Sequence, residues 1–273
     1  MKVLVAVNGS SRAAVTVQFA AQFLIQAGEP PTIITVIDRK SERLSSEAVK
    51  ILNQARELLG ISDLQTSIRV GHALEEITRE ASQGNYDLLI MGEIQVHYLD
   101  HLLKKSTTAR LAEGAPCPVI VVKGEPRPIR RILLCDSGAR RSSLLSRFTA
   151  QLAEILVGEE EVTVLHVMSQ ISAGPGVLGE ELRATVDELI QAHTPEGKFL
   201  GRDIQVLEQP GIHPVPKVRH GLVVDEIINE ARRGDYDLIV IGAHQIKKWH
   251  NFLLEDLTRK ILLQSDRPVL VVK

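Results

Sequence analysis

The sequence predicts an α/β protein made of two tandem, doubly wound parallel sheets. The first observation is a repeat, because residues 71–123 recur as residues 221–273 at a constant offset of 150 without a gap. The second is that the apolar runs are continuous rather than alternating, which is typical of parallel strands buried on both faces. The third is the alternation of these runs with amphipathic stretches, which favours right-handed strand–helix–strand crossovers.

The repeat unit is a domain. The Tyr-Asp-Leu sequence at 86–88 returns at 236–238, and the closing segments 118–123 and 268–273 differ at one position. Each copy is long enough to bury its own core, which a solenoid repeat is not. The segment between the copies is short and stiffened by two prolines. The predicted organisation is a first domain over 1–123, a linker over 124–130 and a second domain over 131–273.

In the first copy, five short apolar runs separate four amphipathic stretches. The polar turn at 8–11 (Asn-Gly-Ser-Ser) offers N-cap chemistry for a helix that runs to about Ala27. The second run is rich in β-branched residues, which favour strands. We expect strands at 3–7, 32–37, 66–70, 87–91 and 119–122, with the remaining helices at 42–59, 74–82 and 99–113.

The second copy begins at 131–136 and is longer in its middle. With Asp136 taken as the counterpart of Asn8, the opening strand is offset by only 128, so the second copy carries 22 extra residues. These fall between Met168 and Val218, and we expect a longer helix around 179–192 followed by an extended loop. Pro214 and Pro216 flank or enter the third strand, which tolerates proline best at the edge of a sheet.

Composition restricts the class of partner. The chain has 32 basic and 34 acidic residues and a net charge of −2, so no overall field favours nucleic acid or anionic lipid. Aromatic residues make up 3% of the chain, which counts against base-stacking surfaces. Cys117 and Cys135 lack disulfide or metal-ligand spacing, and the opening apolar run is too short for a signal peptide. We therefore expect a soluble, cytoplasmic protein with no nucleic-acid or membrane partner.

At this level of detail the chain resembles the universal stress protein family in its tandem two-domain form. The resemblance rests on the polar turn after the first strand, the Leu-His-Val at 165–167, the Asp-Leu-Ile-Val-Ile-Gly at 237–242 and the closing Pro-Val-x-Val-Val of each copy. It covers nearly all of both halves and is weakest over 169–216. The resemblance implies a five-stranded parallel sheet of strand order 3-2-1-4-5 in each copy.

The resemblance also implies how the last strands are covered. A bare edge made of Val119–Val122 would be a template for unwanted pairing. In the family two such edges pair, so we expect Val119–Val122 to pair with Val269–Val272 in an intramolecular pseudo-twofold dimer. Two separate domains with independently covered edges are the alternative, and a further homodimer stays open.

Nucleotide-binding members of the family carry a loop of pattern G-x2-G-x9-G-(S/T) after the fourth strand. Glycines let backbone N–H groups approach phosphate oxygens, and the following helix N-terminus favours an anion. An acid after the first strand and backbone from the second strand help to hold the adenosine. The resemblance assigns these positions to Asn8, Val36, Gly92, Gln95, Lys105 and Ser106 in the first copy, and to Asp136, Val167, Gly242, Gln245, Glu255 and Asp256 in the second.

Neither copy keeps the full pattern. Glu255 and Asp256 would place carboxylates beside a phosphate, whereas Lys105 and Ser106 suit an anion but accompany Asn8 instead of an acid. We therefore expect a non-catalytic stress-response protein with degenerate nucleotide loops and no bound cofactor, which acts as an interaction or regulatory module for a protein partner. A tight turn is then sufficient to explain Gly92 and Gly242. The alternative is an adenine-nucleotide (ATP or AMP) sensor with one surviving site in the first copy.

Catalytic and metal-binding patterns are not recognisable in the sequence. No Ser/His/Asp order, nucleophile elbow or Cys/His pair occurs in a suitable context, so we expect no enzymatic activity. His97 and His101 lie four residues apart, but a third ligand does not accompany them. We expect no metal site.

Overall fold

The computed structural model describes residues 1–37, 44–93, 107–136, 142–156, 160–168, 184–243 and 255–273. The chain divides into two compact units, Met1–Pro128 and Ile129–Lys273, here called unit 1 and unit 2. Each is a parallel sheet with helices on both faces, which confirms the predicted fold class. Within these residues, the helices are too short or too polar to cross a bilayer.

Unit 1 contains five parallel strands in the order β3-β2-β1-β4-β5. The chain moves outward from β1 to β3 on one side and then returns to the other side of β1 for β4 and β5. The elements are β1 Val3–Val7, α1 Ala13–Leu24, β2 Thr32–Ile37, α2 Leu44–Leu59, β3 Gln65–Val70, α3 Ala73–Gly84, β4 Leu88–Gly92, α4 Thr107–Gly114 and β5 Val119–Val122.

Unit 2 repeats this order as β8-β7-β6-β9-β10, again with parallel pairs. Its elements are β6 Arg131–Cys135, α5 Ser142–Ile155, β7 Glu160–Met168, α6 Val186–Gln191, α7 Pro195–Leu207, β8 Ile212–His220, α8 Val223–Arg233, β9 Leu238–Gly242, α9 Glu255–Gln264 and β10 Val269–Val272. The pairing of β5 with β10 across the two units stays a prediction.

The central strands form the core because they are apolar on both faces. In unit 1 the side chains of β1, β4 and β5 are almost completely buried, and Phe19 and Phe23 of α1 contact each other with ring centroids 5.5 Å apart. β6, β9 and β10 are buried in the same way in unit 2. Continuous burial explains why these strands read as unbroken aliphatic runs in the sequence.

The extra residues of unit 2 differ from the expectation. The structure has two helices where one helix and a loop were predicted, since α7 occupies the segment expected to be irregular. Thr185 caps α6 through a capping box with Glu188, and Thr194 caps α7, in which Pro195 is the first residue. Residues 169–183 lie outside the described residues. The third strand does contain Pro214 and Pro216 and lies beside β7 alone within its unit, as predicted.

The first helix also begins later than expected. Asn8 was predicted to belong to an N-cap turn, but α1 starts at Ala13 and Arg12 occupies the cap position without a side-chain cap bond. The Asn8 Oδ1 instead accepts hydrogen bonds from the backbone N–H and the hydroxyl of Ser10, at 3.2 and 2.6 Å. The Asn8 side chain therefore stabilises the turn itself, as asparagine does in Asx-turns.

A glutamate ties the third strand to the following helix in each unit, through Glu80 and Arg69 in unit 1 and through the buried Glu230 in unit 2. In unit 2 the Glu230 side chain is 2% exposed and accepts hydrogen bonds from Lys217 Nζ at 2.6 Å and Arg219 Nε at 2.7 Å. The Tyr236 hydroxyl donates to Thr163 at 2.8 Å and approaches Glu230 at 3.4 Å. Burial alone would raise the pKa of Glu230, but the hydrogen bonds and charges of Lys217 and Arg219 outweigh it and lower the pKa.

Replacing Glu230 with alanine should destabilise unit 2 by about 3 kcal/mol, the low end for a broken buried ion pair, because Lys217 and Arg219 lose their partner but are themselves 35% and 38% exposed. The measurement is urea unfolding of Glu230→Ala. A matched control is Asp266→Ala, which removes surface ion pairs and should cost less than about 0.5 kcal/mol. Equal losses in the two variants would contradict a structural role for the buried carboxylate.

Candidate functional site

Unit 1 has a cleft at the carboxyl ends of its parallel strands. β1 lies between β2 and β4, so the direction of winding reverses at β1, and ligands bind at such switch points in doubly wound sheets. The cleft is lined by the ends of β1, β2 and β4 and by the starts of α1 and α3. Its walls are apolar, contributed chiefly by Val7, Ile34, Val36 and Met91.

The structure brings together three of the residues predicted for this site. Asn8 directly after β1, Val36 in β2 and Gly92 at the end of β4 all line the cleft. Gln95, Lys105 and Ser106 lie outside the described residues, so their part in the site stays a prediction. In unit 2, Gln245 and the side chains of Glu255 and Asp256 lie outside the part of the chain that the structure describes, so their part in the site also stays a prediction.

A charged cluster at the rim of this cleft was missed in the sequence. Glu93 follows Gly92, and its carboxylate lies 2.8 Å from Lys123 Nζ and 3.5 Å from Arg12 Nη1. The Lys123 side chain is only 5% exposed, whereas Glu93 is 40% exposed and reaches into the opening. The repeat gives no signal for this pair, because the lysine is kept as Lys273 in the second copy although Ala243 replaces Glu93.

The two glycines that end the fourth strands lie close to a helix of their own unit, whereas the tight turn expected after each of them stays a prediction, because the following segments lie outside the described residues. A Cβ built on Gly92 would lie 2.7 Å from the Thr16 hydroxyl of α1. A Cβ on Gly242 would lie 3.2 Å from Leu145 of α5. Each glycine therefore permits the first helix of its unit to approach the end of the fourth strand.

The strand register corrects the predicted equivalence of Asn8 and Asp136. Val3 pairs with Leu88 in unit 1, and Ile132 pairs with Leu238, the repeat of Leu88, in unit 2. Counting forward from these pairs, Asp136 stands at the rung of Val7, and the counterpart of Asn8 is residue 137, outside the described residues. The apolar run of β6 is one residue shorter, so an alignment by the first polar residue is wrong by one.

Because of this shift, the Asp136 carboxyl group points into the interior of unit 2. Its side chain is 3% exposed and lies 3.7 Å from Arg202 Nη2 on α7. Asp203, also on α7, is fully buried; its Oδ1 accepts a hydrogen bond from Ser146 of α5 at 3.1 Å and lies 3.3 Å from Arg202. Burial and a hydrogen bond to the Asp136 carboxylate raise the pKa of Asp203 to about 8, against the opposing effects of Arg202 and Ser146.

The neighbouring strand end in unit 2 is covered as well. The His166 Nδ1 lies 3.1 Å from the backbone oxygen of Asp136, and the Phe199 ring of α7 meets the His166 ring edge-on at 5.7 Å. Val167 is buried, and the register places it at the rung of Val36, as the sequence predicted. The residues expected to hold adenosine in the second copy are thus engaged in contacts within the unit.

Comparison with known proteins assigns both halves to one family. The model of the universal stress protein family matches residues 1–123 and 128–273. The chain belongs to the universal stress protein family. This confirms the resemblance seen in the sequence.

Individual universal stress proteins match in sequence or in fold. The universal stress protein Slr1230 of Synechocystis is 32% identical over 124 residues, and the match covers 45% of this chain but only 42% of that relative. A universal stress protein of Archaeoglobus fulgidus shares the fold over 100% of this chain and 96% of its own, with a TM-score of 0.69 and 15% identity. Another from Archaeoglobus fulgidus, solved in complex with dAMP, covers 53% of this chain and 98% of its own at a TM-score of 0.37 and 19% identity.

The two universal stress domains differ in chemistry at the same place in the fold. Unit 1 presents an apolar cleft with a polar and charged rim, which can take a flat heterocycle with a hydroxylated or charged substituent. In unit 2 the strand ends carry a buried acid pair. Within the described residues no cluster of three His, Cys, Asp or Glu side chains could hold a metal ion. Both cysteines are buried. The pKa of the Cys135 thiol is raised, chiefly by burial and to a lesser extent by the negative charges of Asp136 and Glu230.

Substituting alanine for Gly92 should cost about 1–3 kcal/mol of stability, because the new methyl group would overlap Thr16. Thermal unfolding of Gly92→Ala measures this cost. The same change in a Thr16→Ala background should cost less, since the obstructing hydroxyl is gone. Gly114→Ala is the control, with open space around its Cβ, and should leave stability unchanged or slightly higher. A cost that does not depend on Thr16 would contradict the packing explanation.

Proposed function

We propose that this universal stress protein is a non-catalytic regulatory module that binds one adenine nucleoside or nucleotide per chain, in the cleft of unit 1. The observation that supports it is the position of that cleft, at the switch point of a doubly wound sheet, with apolar walls and a polar rim.

The shape and chemistry of the cleft favour an adenine base. Val7, Val36 and Met91 come from three adjacent strands and offer apolar surface to a flat ring. Backbone N–H and C=O groups at the ends of β1 and β2 can form hydrogen bonds with the edge of the ring. At the rim, the Glu93 carboxylate can accept hydrogen bonds from ribose hydroxyls, and Arg12 supplies a cation toward a phosphate.

The corresponding region of unit 2 is less suited to a ligand. Leu145 takes the place that Thr16 has beside the motif glycine, and Val223 repeats Ala73 with a larger side chain. Asp136 is paired with α7 rather than directed toward a ligand. One bound ligand per chain, rather than two, is the expected stoichiometry.

An interaction module without a ligand is the second candidate. It is favoured by the sequence of the loops, since neither copy keeps all three motif glycines. It is also favoured by Glu93, because a carboxylate beside Gly92 would repel the phosphate groups of a nucleotide bound at this strand end. In both candidates the protein acts through binding, and purified protein should release no phosphate from ATP.

The deciding experiment is mass spectrometry of small molecules released from freshly purified full-length protein, followed by calorimetric titration of ATP, ADP, AMP and adenosine. The proposal expects a stoichiometry of one. Ligand at one hundred times its dissociation constant should raise the free energy of unfolding by about 2.7 kcal/mol. The absence of heat with all four compounds at millimolar concentration would leave the interaction module, and two sites per chain would contradict the role assigned to unit 2.

A pair of exchanged residues locates the site. Ala73→Val introduces into the cleft of unit 1 the side chain that unit 2 carries as Val223, and it should weaken binding at least tenfold by filling space. Val223→Ala is the matched control and should leave the affinity unchanged. If Val223→Ala weakened binding and Ala73→Val did not, the ligand would lie in unit 2.

A further inference from the structure

The acid pair in unit 2 has no counterpart at the same rung of unit 1. Val7 occupies there the position of Asp136, and it lines an open cleft. In unit 2 the two carboxyl groups come from different elements, Asp136 from the end of β6 and Asp203 from the middle of α7. Both side chains are almost inaccessible to water. Their contact is therefore a joint between a helix and the sheet.

Two buried carboxyl groups can hydrogen-bond each other only when one of them carries a proton. Burial and the nearby Asp136 carboxyl group raise the pKa of Asp203, so Asp203 is the member of the pair that keeps a proton, and its Oδ1 accepts a hydrogen bond from the Ser146 hydroxyl. Arg202 lies 3.7 Å from Asp136 and 3.3 Å from Asp203, and its side chain is 40% exposed. One half-exposed guanidinium can balance one carboxylate, but not two buried carboxylates in contact.

We infer that α7 is a latch closed by this proton: the Asp203 hydroxyl holds α7 against α5 and the end of β6, and loss of the proton releases the helix. Release uncovers the carboxyl ends of β6 and β7, where Asp136, His166 and Val167 lie. The latch does not depend on a ligand in unit 1.

Among the described residues, the neighbouring elements bring further titratable groups to the joint. β6 contributes Cys135 next to Asp136, and β7 contributes His166, on which Phe199 of α7 packs. β8 contributes His220, whose pKa is lowered by burial and by His166 and raised by Glu226. α6 carries Glu188, which is bound in its own capping box with Thr185. Ser146 is the polar contact from α5.

The direction of the pH dependence follows from linkage. Docking raises the pKa of Asp203, whereas a released helix would leave it near about 3.9, the ordinary value for aspartate. The docked state therefore keeps a proton that the released state loses as the pH rises above about 4. Docking is strongest in acid, weakens up to the pKa of the docked form near 8, and changes little at higher pH.

The test uses the full chain and two readouts. Infrared spectra should show a protonated carboxylic acid in the wild-type protein at pH 6 that disappears as the pH rises past 8 and is missing from Asp203→Asn. Hydrogen exchange of the α7 amides, corrected for the intrinsic rate, should show an opening constant that rises by up to about tenfold per pH unit between pH 5 and 8. Asp203→Asn keeps an acceptor for Ser146 and a donor for Asp136, and should remove this slope.

Glu154→Gln is the control, because Glu154 is an exposed carboxylate on α5. It should keep both the infrared band and the slope. The proposal fails if the wild-type protein lacks the band at pH 6, or if the band titrates while exchange in α7 does not respond to pH. An equal slope in the wild-type protein and Asp203→Asn would also overturn it. If Asp203→Asn did not fold, the two wild-type titrations alone would still decide between these outcomes.

Discussion

The parallel ladder between the first and fourth strands determines which side chains reach the cleft of each unit. Ala6 pairs with Met91 in unit 1, and Cys135 pairs with Ile241, the repeat of Met91, in unit 2. Successive side chains of a strand point to opposite faces of the sheet, so the residue after Ala6 or Cys135 points to the opposite face from that residue. This residue is Val7 in unit 1 and Asp136 in unit 2. A valine there can line a cleft, whereas a carboxyl group there must find partners, because burying it without them is costly.

The additional segment of unit 2 supplies those partners. α7 brings Arg202 and Asp203 to Asp136, and α5 adds Ser146. Replacing such a group of buried polar side chains with apolar ones would often cost nothing, whereas removing one member leaves the others unsatisfied. The position of α7 is therefore fixed by polar contacts as well as by apolar packing, and this makes its docking sensitive to protonation in a way that apolar packing is not.

The sequence was sufficient for the fold but not for the contacts at the strand ends. The repeat and the aliphatic runs predicted the strands and their parallel sheet, and the matching of Val36 with Val167 was correct. The equivalence of Asn8 with Asp136 failed because one copy has a shorter apolar run, and only pairing with the fourth strand reveals that difference. Glu93 and Lys123 lie 2.8 Å apart in the structure but far apart in the chain, so no local pattern could join them.

The start of α7 is visible in the sequence. Thr194 followed by Pro195 is a strong helix-start signal, since threonine accepts a backbone hydrogen bond at the cap and proline suits the first turn. This segment was expected to be an extended loop, whereas it forms a helix. Local capping chemistry is therefore the better guide to its structure.

Duplication preserves one part of each domain and leaves the other free to change. Both units keep a glycine, a left-handed residue and a tyrosine where the helix before the fourth strand ends. Asn85 and Asp235 have φ of 49° and 48°, and a Cβ on Gly84 or Gly234 would overlap the tyrosine ring. Both also keep a glutamate that binds the neighbouring strand, through Arg69 in unit 1 and through Lys217 and Arg219 in unit 2. These contacts satisfy their own polar groups and do not involve the carboxyl ends of the first and second strands. The contacts of this framework therefore do not depend on the residues at those strand ends. A substitution at Val7 or Asp136 is constrained mainly by the helix packed nearest to it. The two halves of one chain can for this reason come to respond to different chemical signals.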